Sequence, residues 1–538
     1  MKKQKNSYIK NILGPCFLFS GIAGAITGAL IFLFKITSSK VMHLSADIYS
    51  AIRANPKYLP LALLIAAAIG LLAALILKFA KDCRGGGIPT AVAAMRGLMP
   101  IKWIQGIFVL FFSAMLTYLC GVPLGNEGPS VQMGTAVGKG TTRVLTKKNR
   151  AWERYVMTGG ACAGFATATG APISGILFAV EEAHRRFSPM IFMVATVSVL
   201  TGSMVQTLLS SIFHVDTALF DFKITEALPL KFFWVPVLIG AACGLCAILF
   251  TKLYNVVRKF VKTHKKIPVL VRISPIFIVS ALFGFLCDDF IGSGHSLIEK
   301  SLHENIAWYI LLAALAVRAL VLICANNVGV SGGIFIPTLT FGAIIAALMA
   351  KPLLLTSMIG SQYYALFIVV GMSSFLSASS RTPITALVFA VEALCGVNNV
   401  LPVGIGVIVA YLIIEISGWT AFTDNIIEGK AEAAHEGRVP VIINAHVVVN
   451  EGSFAVGKEV RDILWPTTCA VLSIDRRVAL DNHNFTILAA GDVLHIHYQT
   501  YDAKATVKEL TYLLGEQPED PSMTIKFGSS AHVVPAAD

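Results

Sequence analysis

The sequence predicts a polytopic α-helical membrane protein with two related halves and broken helices, followed by a small cytoplasmic α+β domain. Three observations predict it. The 538 residues are 55% hydrophobic and only 14% charged, with a mean hydropathy of +0.72, too apolar for a soluble globular chain. Ten or so stretches are long enough to cross or enter a bilayer, among them Leu59–Ala80, Trp103–Cys120, Met190–Leu208, Phe233–Phe250, Ile306–Cys324 and Leu401–Ile416. Composition then changes near residue 429, where KAEAAHEG opens a segment with soluble patterning.

The N-terminal stretch comes first. The apolar run beginning near Ile12 is too long for the core of a signal peptide and has no clear cleavage site, so it reads as the first membrane helix. The excess of 43 Lys+Arg over 31 Asp+Glu invites a nucleic-acid reading. The basic residues, however, lie in short segments: MKKQKNSYIK, Arg143–Arg154, His184–Arg186 and Val257–Lys266. Short basic loops between spans mark the cytoplasmic side. The expectation is a multi-pass protein of the cell membrane, with its N-terminus and C-terminal domain in the cytoplasm and no nucleic-acid partner. The ten cysteines are scattered through apolar segments, and Cys243 and Cys246 sit inside LIGAACGLCAILF. They read as small buried thiols rather than as a disulfide framework or metal site.

An internal repeat organises the membrane part. GAPISGILFAVEEA from Gly170 matches RTPITALVFAVEAL from Arg381, with Pro172 over Pro383 and Glu181 over Glu392, both 211 residues apart. Halves of about 10–215 and 230–428 follow, within a transport domain of 1–430. Such repeats are common in transporters, whose sites form between the repeats near the midplane. The stretch Val156–Glu182 lies between two loops placed on one side. Its 27 residues cannot make two crossings of about 20 residues each, so short or re-entrant helices are predicted. Broken helices at depth are tolerated where they line a cavity or are buried in protein.

Three glycine/proline breaks carry the chemistry: RGGGIPTAV (Arg84–Val92), GNEGPSV (Gly125–Val131) and GVSGGIFIPTL (Gly329–Leu339). Glycine permits a sharp turn and close approach of a ligand, and proline suits a first helical turn. Each break therefore predicts a helix N-terminus inside the membrane, with free N–H groups and the positive end of the helix dipole. Three such ends converging bind an anion without a full positive charge, which permits release as well as binding.

Together these motifs resemble the CLC family of chloride channels and proton-coupled anion antiporters. The family's G-S-G-I-P, G-[KR]-E-G-P and G-x-F-x-P motifs stand here as GGGIP (Gly85–Pro89), GNEGP (Gly125–Pro129) and GIFIP (Gly333–Pro337). The resemblance covers the whole membrane part and implies the CLC fold with two inverted-topology repeats, a homodimer, and chloride and protons as the transported ions. It implies that Glu127 is the gate, a carboxylate that competes with the anion and carries a proton when it swings aside. It further implies that Gly86, Gly87, Ile88, Asn126, Gly128, Ile334, Phe335 and Phe422 bound the anion site, and that Glu182 is the inner proton-transfer acid of the exchangers. From the residues alone, Glu181 and Glu182 also read as an acidic helix end beside the basic HRR. Intramembrane acids are costly, and Glu392 repeats Glu181 rather than Glu182, which favours a role for Glu182.

Three departures mark this chain. Gly86 stands where the family has a serine, Phe422 where it has an anion-coordinating tyrosine, and Asn126 where it has Lys or Arg. The asparagine and the two lost hydroxyls are similar to the fluoride-exporting subgroup. Gly86 and the soluble C-terminal domain are unlike it. Chloride is the expected anion, with fluoride the alternative, and a passive channel of the same fold is a further reading. No HExxH, GxGD or G-x-S-x-G pattern suggests an enzyme, and no TVGYG filter suggests a cation pathway.

In the C-terminal segment, VPVIINAHVVV, CAVLSIDR and DVLHIHY read as strands, and AVGKEVRDIL and AKATVKELTYLL as amphipathic helices. A domain over 431–515 and a flexible tail over 516–538 are predicted. The domain resembles the TrkA-C (RCK-C) regulatory module, which implies small-molecule sensing or dimer stabilisation. No phosphate loop or metal cluster identifies a ligand, and no cofactor is expected. His446, His495 and His497 read as surface or strand positions.

Overall fold

The computed structural model describes residues 13–527, apart from 86, 147–149, 216–218, 221, 223, 225, 265, 304–305, 357, 477–486 and 518–523. In chain order the helices are α1 (Gly14–Ala54), α2 (Leu59–Ile76), α3 (Gly87–Met95), α4 (Trp103–Leu119), α5 (Glu127–Leu145) and α6 (Glu153–Thr169). Then come α7 (Pro172–Phe178), α8 (Pro189–Phe213), α9 (Trp234–Thr263), α10 (Val269–Leu286), α11 (His295–His303) and α12 (Trp308–Val328). The membrane part closes with α13 (Phe335–Leu355), α14 (Tyr364–Ser380), α15 (Pro383–Ala390), α16 (Val400–Ile416) and α17 (Phe422–Ala434). Nine helical runs among the described residues are long and apolar enough to cross a membrane.

The predicted repeat is built as two matching sets of packed helices. Helix α1 packs on α6 and α8, just as α9 packs on α14 and α16. Glycines set the tightest crossings. A methyl group on Gly134 of α5 would overlap the Gly160 carbonyl of α6, and one on Gly342 of α13 would overlap the Gly371 carbonyl of α14. Small residues let membrane helices approach this closely, so that backbone packing replaces the hydrophobic drive that lipid removes.

The predicted short helices are present in both halves. Helix α6 ends at Gly170 in the left-handed region (φ 70°), and α7 leads into a π turn over Ala179–Ala183. In the second half Arg381 takes the same conformation (φ 56°), and α15 leads into a π turn over Val391–Cys395. The pairs α6–α7 and α14–α15 are thus helical hairpins. Each has one arm of 17 residues.

The C-terminal domain is a four-stranded antiparallel sheet in the order β2-β3-β1-β4. Its strands are β1 (Val441–Val448), β2 (Ala470–Asp475), β3 (Val493–Thr500) and β4 (Thr524–Phe527). Ile443, Ala445, Val447, Leu494, Ile496 and Tyr498 alternate onto the buried face. Helix α18 (Ala503–Leu514), capped by Asp502, buries Leu510, Leu513 and Leu514. His446 and His495 face each other across β1 and β3, and His497 bonds Asn444 at 2.6 Å. All three lie on strands, as expected.

Three expectations differ from the structure here. AVGKEVRDIL is not a helix but a string of turns with one short 3₁₀ segment, Val460–Asp462. Gly457 takes φ 77° and Glu459 bridges Ile487. The carbonyls of Asp462 and Ile463 accept from the membrane part instead of from a helical ladder. The boundary at 430 falls within α17, so the connection begins as helix. The predicted tail contributes to the domain, because Gln517 bonds both polar groups of Val448 and β4 pairs with β1.

Candidate functional site

All three glycine/proline breaks are helix N-termini, those of α3, α5 and α13, and they meet. Gly125 and Gly333 form a two-bond antiparallel bridge, with N–H···O distances of 2.8 and 2.7 Å. A methyl group on Gly87 would overlap the Gly128 carbonyl, and one on Gly128 would press on Gly333. Only glycine allows this approach. Side chains fix the rest. Tyr118, fully buried, donates to the Gly125 carbonyl at 2.8 Å. Ser331 donates to Cys83 at 3.0 Å, Gln132 to Asp82 at 3.1 Å, and the Lys430 ammonium to the Arg84 carbonyl. Of the predicted site residues, Gly86 lies outside the described residues.

Glu127 is 1% exposed at the first position of α5. Its carboxylate accepts from its own N–H and from the backbone N–H of Ile336, in the first turn of α13. Lys35 of α1 acts on it electrostatically. Gly125 leaves room for Oε2, where a side chain would collide. A carboxylate therefore rests on the amides and dipole of a helix N-terminus, where an anion would bind. Asn126 caps no N–H of α5. Its Nδ2 donates to Ser38 Oγ of α1 at 3.1 Å.

Beyond the meeting point lies a narrow cavity of about 20 Å³, room for one water-sized guest. Ile88, Ile334, Phe335 and Glu182 line it, together with Thr338, Leu376, Ser379, Ser380 and Thr423. The first four are sequence-predicted residues from α3, the third break and the π turn, brought together. Glu182 is 9% exposed, with Arg185, Arg96, Asp424 and Glu181 as its charged neighbours. The π turn separates the two adjacent acids. Glu181 turns away to cap α15, accepting from the N–H groups of Ile384 at 2.8 Å and Thr385 at 2.6 Å. Widened turns of this kind often mark functional positions in helices.

The Phe422 ring does not face this cavity. It is fully buried and packs edge-on against Phe250 and Tyr254, with centroids 4.8 and 4.9 Å away. Starting α17 turns its neighbour Thr423 inward instead. Hydroxyls therefore line this cavity although Gly86 and Phe422 bring none. Thr338, Ser379, Ser380 and Thr423 now donate to backbone carbonyls, at 2.7, 3.0, 2.8 and 3.4 Å. No motif signalled them, since serine and threonine are ordinary in membrane helices and commonly satisfied by the preceding turn.

Three helix ends meeting at a buried carboxylate, beside a cavity lined by a second acid, stand among helices long and apolar enough to cross a membrane. The sequence profile described as "Voltage gated chloride channel" matches residues 70–415. The chain is 30% identical over 365 residues to the H(+)/Cl(-) exchange transporter ClcA of Vibrio vulnificus (strain YJ016), covering 66% of this chain and 77% of that one. It is 27% identical over 408 residues to ClcA of Yersinia pestis bv. Antiqua (strain Angola), covering 73% and 82%. A slow cyanobacterial Cl-/H+ antiporter has a similar structure, with TM-score 0.70, 22% identity and coverage of 77% and 98%. A CLC-type fluoride/proton antiporter is similar at TM-score 0.61 and 20% identity, with coverage of 75% and 96%. The chain belongs to the voltage-gated chloride channel (CLC) family.

Proposed function

We propose that this protein exchanges chloride for protons across the cell membrane, with Glu127 as gate and proton carrier and Glu182 as the inner proton port. One observation carries the reading: the Glu127 carboxylate occupies the helix-end amides that an anion needs. Charged, it holds the place; protonated, it gives up its claim on the N–H groups and an anion replaces it. Glu182, across the cavity, gives the proton a separate exit. The ClcA relatives named as H(+)/Cl(-) exchangers support this choice. Fluoride is the second reading, favoured by Asn126 in place of a cation.

The same reading makes the protein a homodimer. Ile173, Leu200, Ile384, Leu401 and Ile408 leave an exposed apolar face on α7, α8, α15 and α16, suited to a second copy or to lipid. The N-terminus and C-terminal domain are assigned to the cytoplasm by the positive-inside rule. Arg154 and Arg186 of the basic loops lie against that domain. A TrkA-C-like role for the domain, with a small-molecule ligand, belongs to the same proposal.

The test is flux from proteoliposomes loaded with chloride or fluoride, with pH followed at the same time. A chloride gradient should drive protons uphill, and Glu127→Gln should abolish that coupling while anions still move. Chloride flux without proton movement would sink the exchanger reading. Fluoride flux far above chloride flux would replace chloride as the substrate.

A further inference from the structure

Arg96 follows α3, the helix whose other end bounds the anion site. Its Nε donates to the Ala183 carbonyl and its Nη2 to the Glu182 carbonyl, both at 2.8 Å. These are the last two carbonyls of the π turn that presents the Glu182 side chain to the cavity. The carbonyl of Arg96 in turn accepts from Thr467 Oγ1 of the C-terminal domain at 2.7 Å. One guanidinium and one hydroxyl thus connect the domain to the turn that carries Glu182.

Thr467 does not act alone. The Tyr155 hydroxyl of α6 donates to the Asp462 carbonyl at 2.6 Å and accepts from the Leu464 N–H at 2.8 Å. Arg154 donates to the Met95 carbonyl at 2.9 Å and to the Trp465 carbonyl at 2.6 Å. Arg186 donates to the Ile463 carbonyl at 3.0 Å, and Ser188 to Asp462 Oδ1 at 2.9 Å. The end of α3, the start of α6, the residues after the π turn and the entry to α8 are all tied to Asp462–Thr467. These elements surround Glu182.

We propose that Arg96 is a positioning residue for proton transfer at Glu182, and that the Asp462–Thr467 segment of the C-terminal domain sets its position. The domain then controls the proton half of the exchange and leaves the anion path alone. Arg96 lies eight positions after Ile88, about 12 Å along the helix direction, so a shift at Arg96 moves the π turn before it moves the helix N-termini. The charged groups that act on Glu182 electrostatically are Arg185, Arg96, Asp424 and, from the other side of the turn, Glu181. Asp424 of α17 is itself paired with Arg185 at 2.6 Å, so that side of Glu182 is pinned from the membrane part. Of these four groups, Arg96 is the one whose backbone is bonded to the C-terminal domain, through its carbonyl. The inference rests on the reading of Glu182 as the inner proton port.

The test uses the full chain in proteoliposomes, with chloride and proton flux measured separately while the internal pH is varied. Thr467→Val removes one hydroxyl at the domain boundary and keeps the shape, so it reports even if Arg96→Gln fails to fold. Both variants should lower proton flux roughly 3- to 10-fold and shift its internal-pH profile, with chloride flux within about twofold of the parent. Arg96→Lys should recover part of the proton flux. An unchanged proton-to-chloride ratio in Thr467→Val and Arg96→Gln, or an equal fall in both fluxes, would overturn the inference. Glu182→Gln is run in parallel. If it loses proton flux, such a result refutes the Arg96 coupling alone; if it keeps proton flux, the reading of Glu182 as port fails, and the coupling with it.

Discussion

Glu181 and Glu392 hold the two repeats together by capping each other's short helices. The Glu181 carboxylate accepts from the N–H groups of Ile384 and Thr385 and from Thr385 Oγ1. The Glu392 carboxylate accepts from the N–H groups of Ile173 and Ser174 and from Ser174 Oγ. Every one of these bonds is between 2.6 and 2.9 Å. Each acid serves the other repeat's proline-led helix, where the dipole favours a negative charge.

Glu181→Ala and Glu392→Ala should each destabilise the full chain by about 2 kcal/mol, the range for charge-assisted hydrogen bonds lost at a helix N-terminus. The two caps share the α7–α15 contact, so the double variant should cost less than the sum. Thermal melts of the four proteins in one detergent check this. Strict additivity would show that the caps act separately.

Glycine at the meeting point is required by space as much as by turn geometry. Gly87→Ala should lower anion flux at least tenfold, because its methyl group meets the Gly128 carbonyl and must part α3 from α5. Gly404→Ala in α16 makes the contrast, since its methyl group meets only the Leu387 side chain at 3.8 Å. It should be neutral, or stabilise by up to about 1 kcal/mol. Flux and melting temperature together separate a closed site from an unfolded protein.

Thr423 offers the most loosely held hydroxyl of the cavity, with a bond of 3.4 Å to the Ser379 carbonyl. Its proton is the easiest of the four to turn toward an anion. Thr423→Val keeps the volume and should weaken apparent anion affinity about tenfold, as expected when a hydrogen bond to a charged group worth about 1.5 kcal/mol is lost. Anion dependence of flux is the measurement. Phe422→Leu should leave that dependence nearly unchanged, since the ring faces Phe250 and Tyr254.

In the C-terminal domain, Lys458 is 5% exposed. Its ammonium donates to the Phe454 carbonyl and lies 3.8 Å from the Phe454 ring centroid. Burial nonetheless pushes its pKa down to about 8. The unfolded chain, near 10.4, then binds more protons between these values, so stability rises as pH climbs from about 8 to about 10. Below pH 8 the full cost of burying the charge remains. Lys458→Met should stabilise the protein by on the order of 1 kcal/mol at pH 7 and flatten the rise. Melting temperatures across pH 7 to 10 decide it; a parallel rise in both proteins would exclude Lys458 as its source.

Much of the fold was legible because membrane folds are written in length and glycine. The 27 residues of Val156–Glu182 were too few for two crossings, and the structure makes them a hairpin with a π turn. The 211-residue offset located the two equivalent turns from sequence alone. The breaks located three helix starts, and Ile88, Ile334, Phe335 and Glu182 came together around one cavity. What escaped was of another kind. Thr423 and Phe422 are neighbours, and which of them faces the cavity depends on where α17 begins. AVGKEVRDIL has helical periodicity, yet its carbonyls at Asp462, Leu464 and Ile463 are recruited by Tyr155, Arg154 and Arg186, more than 250 positions away. Local pattern carries no record of such a partner.

The bridge between Gly125 and Gly333 consists of two amide–carbonyl pairs and no side chain. No substitution can delete a main-chain amide short of proline, so the seam that registers α5 against α13 is insulated from drift at its neighbours. Asn126 and Ile334, each one residue from the bridge, contribute no side chain to it. The register of the two helix starts is thus a main-chain property, whichever side chains flank it.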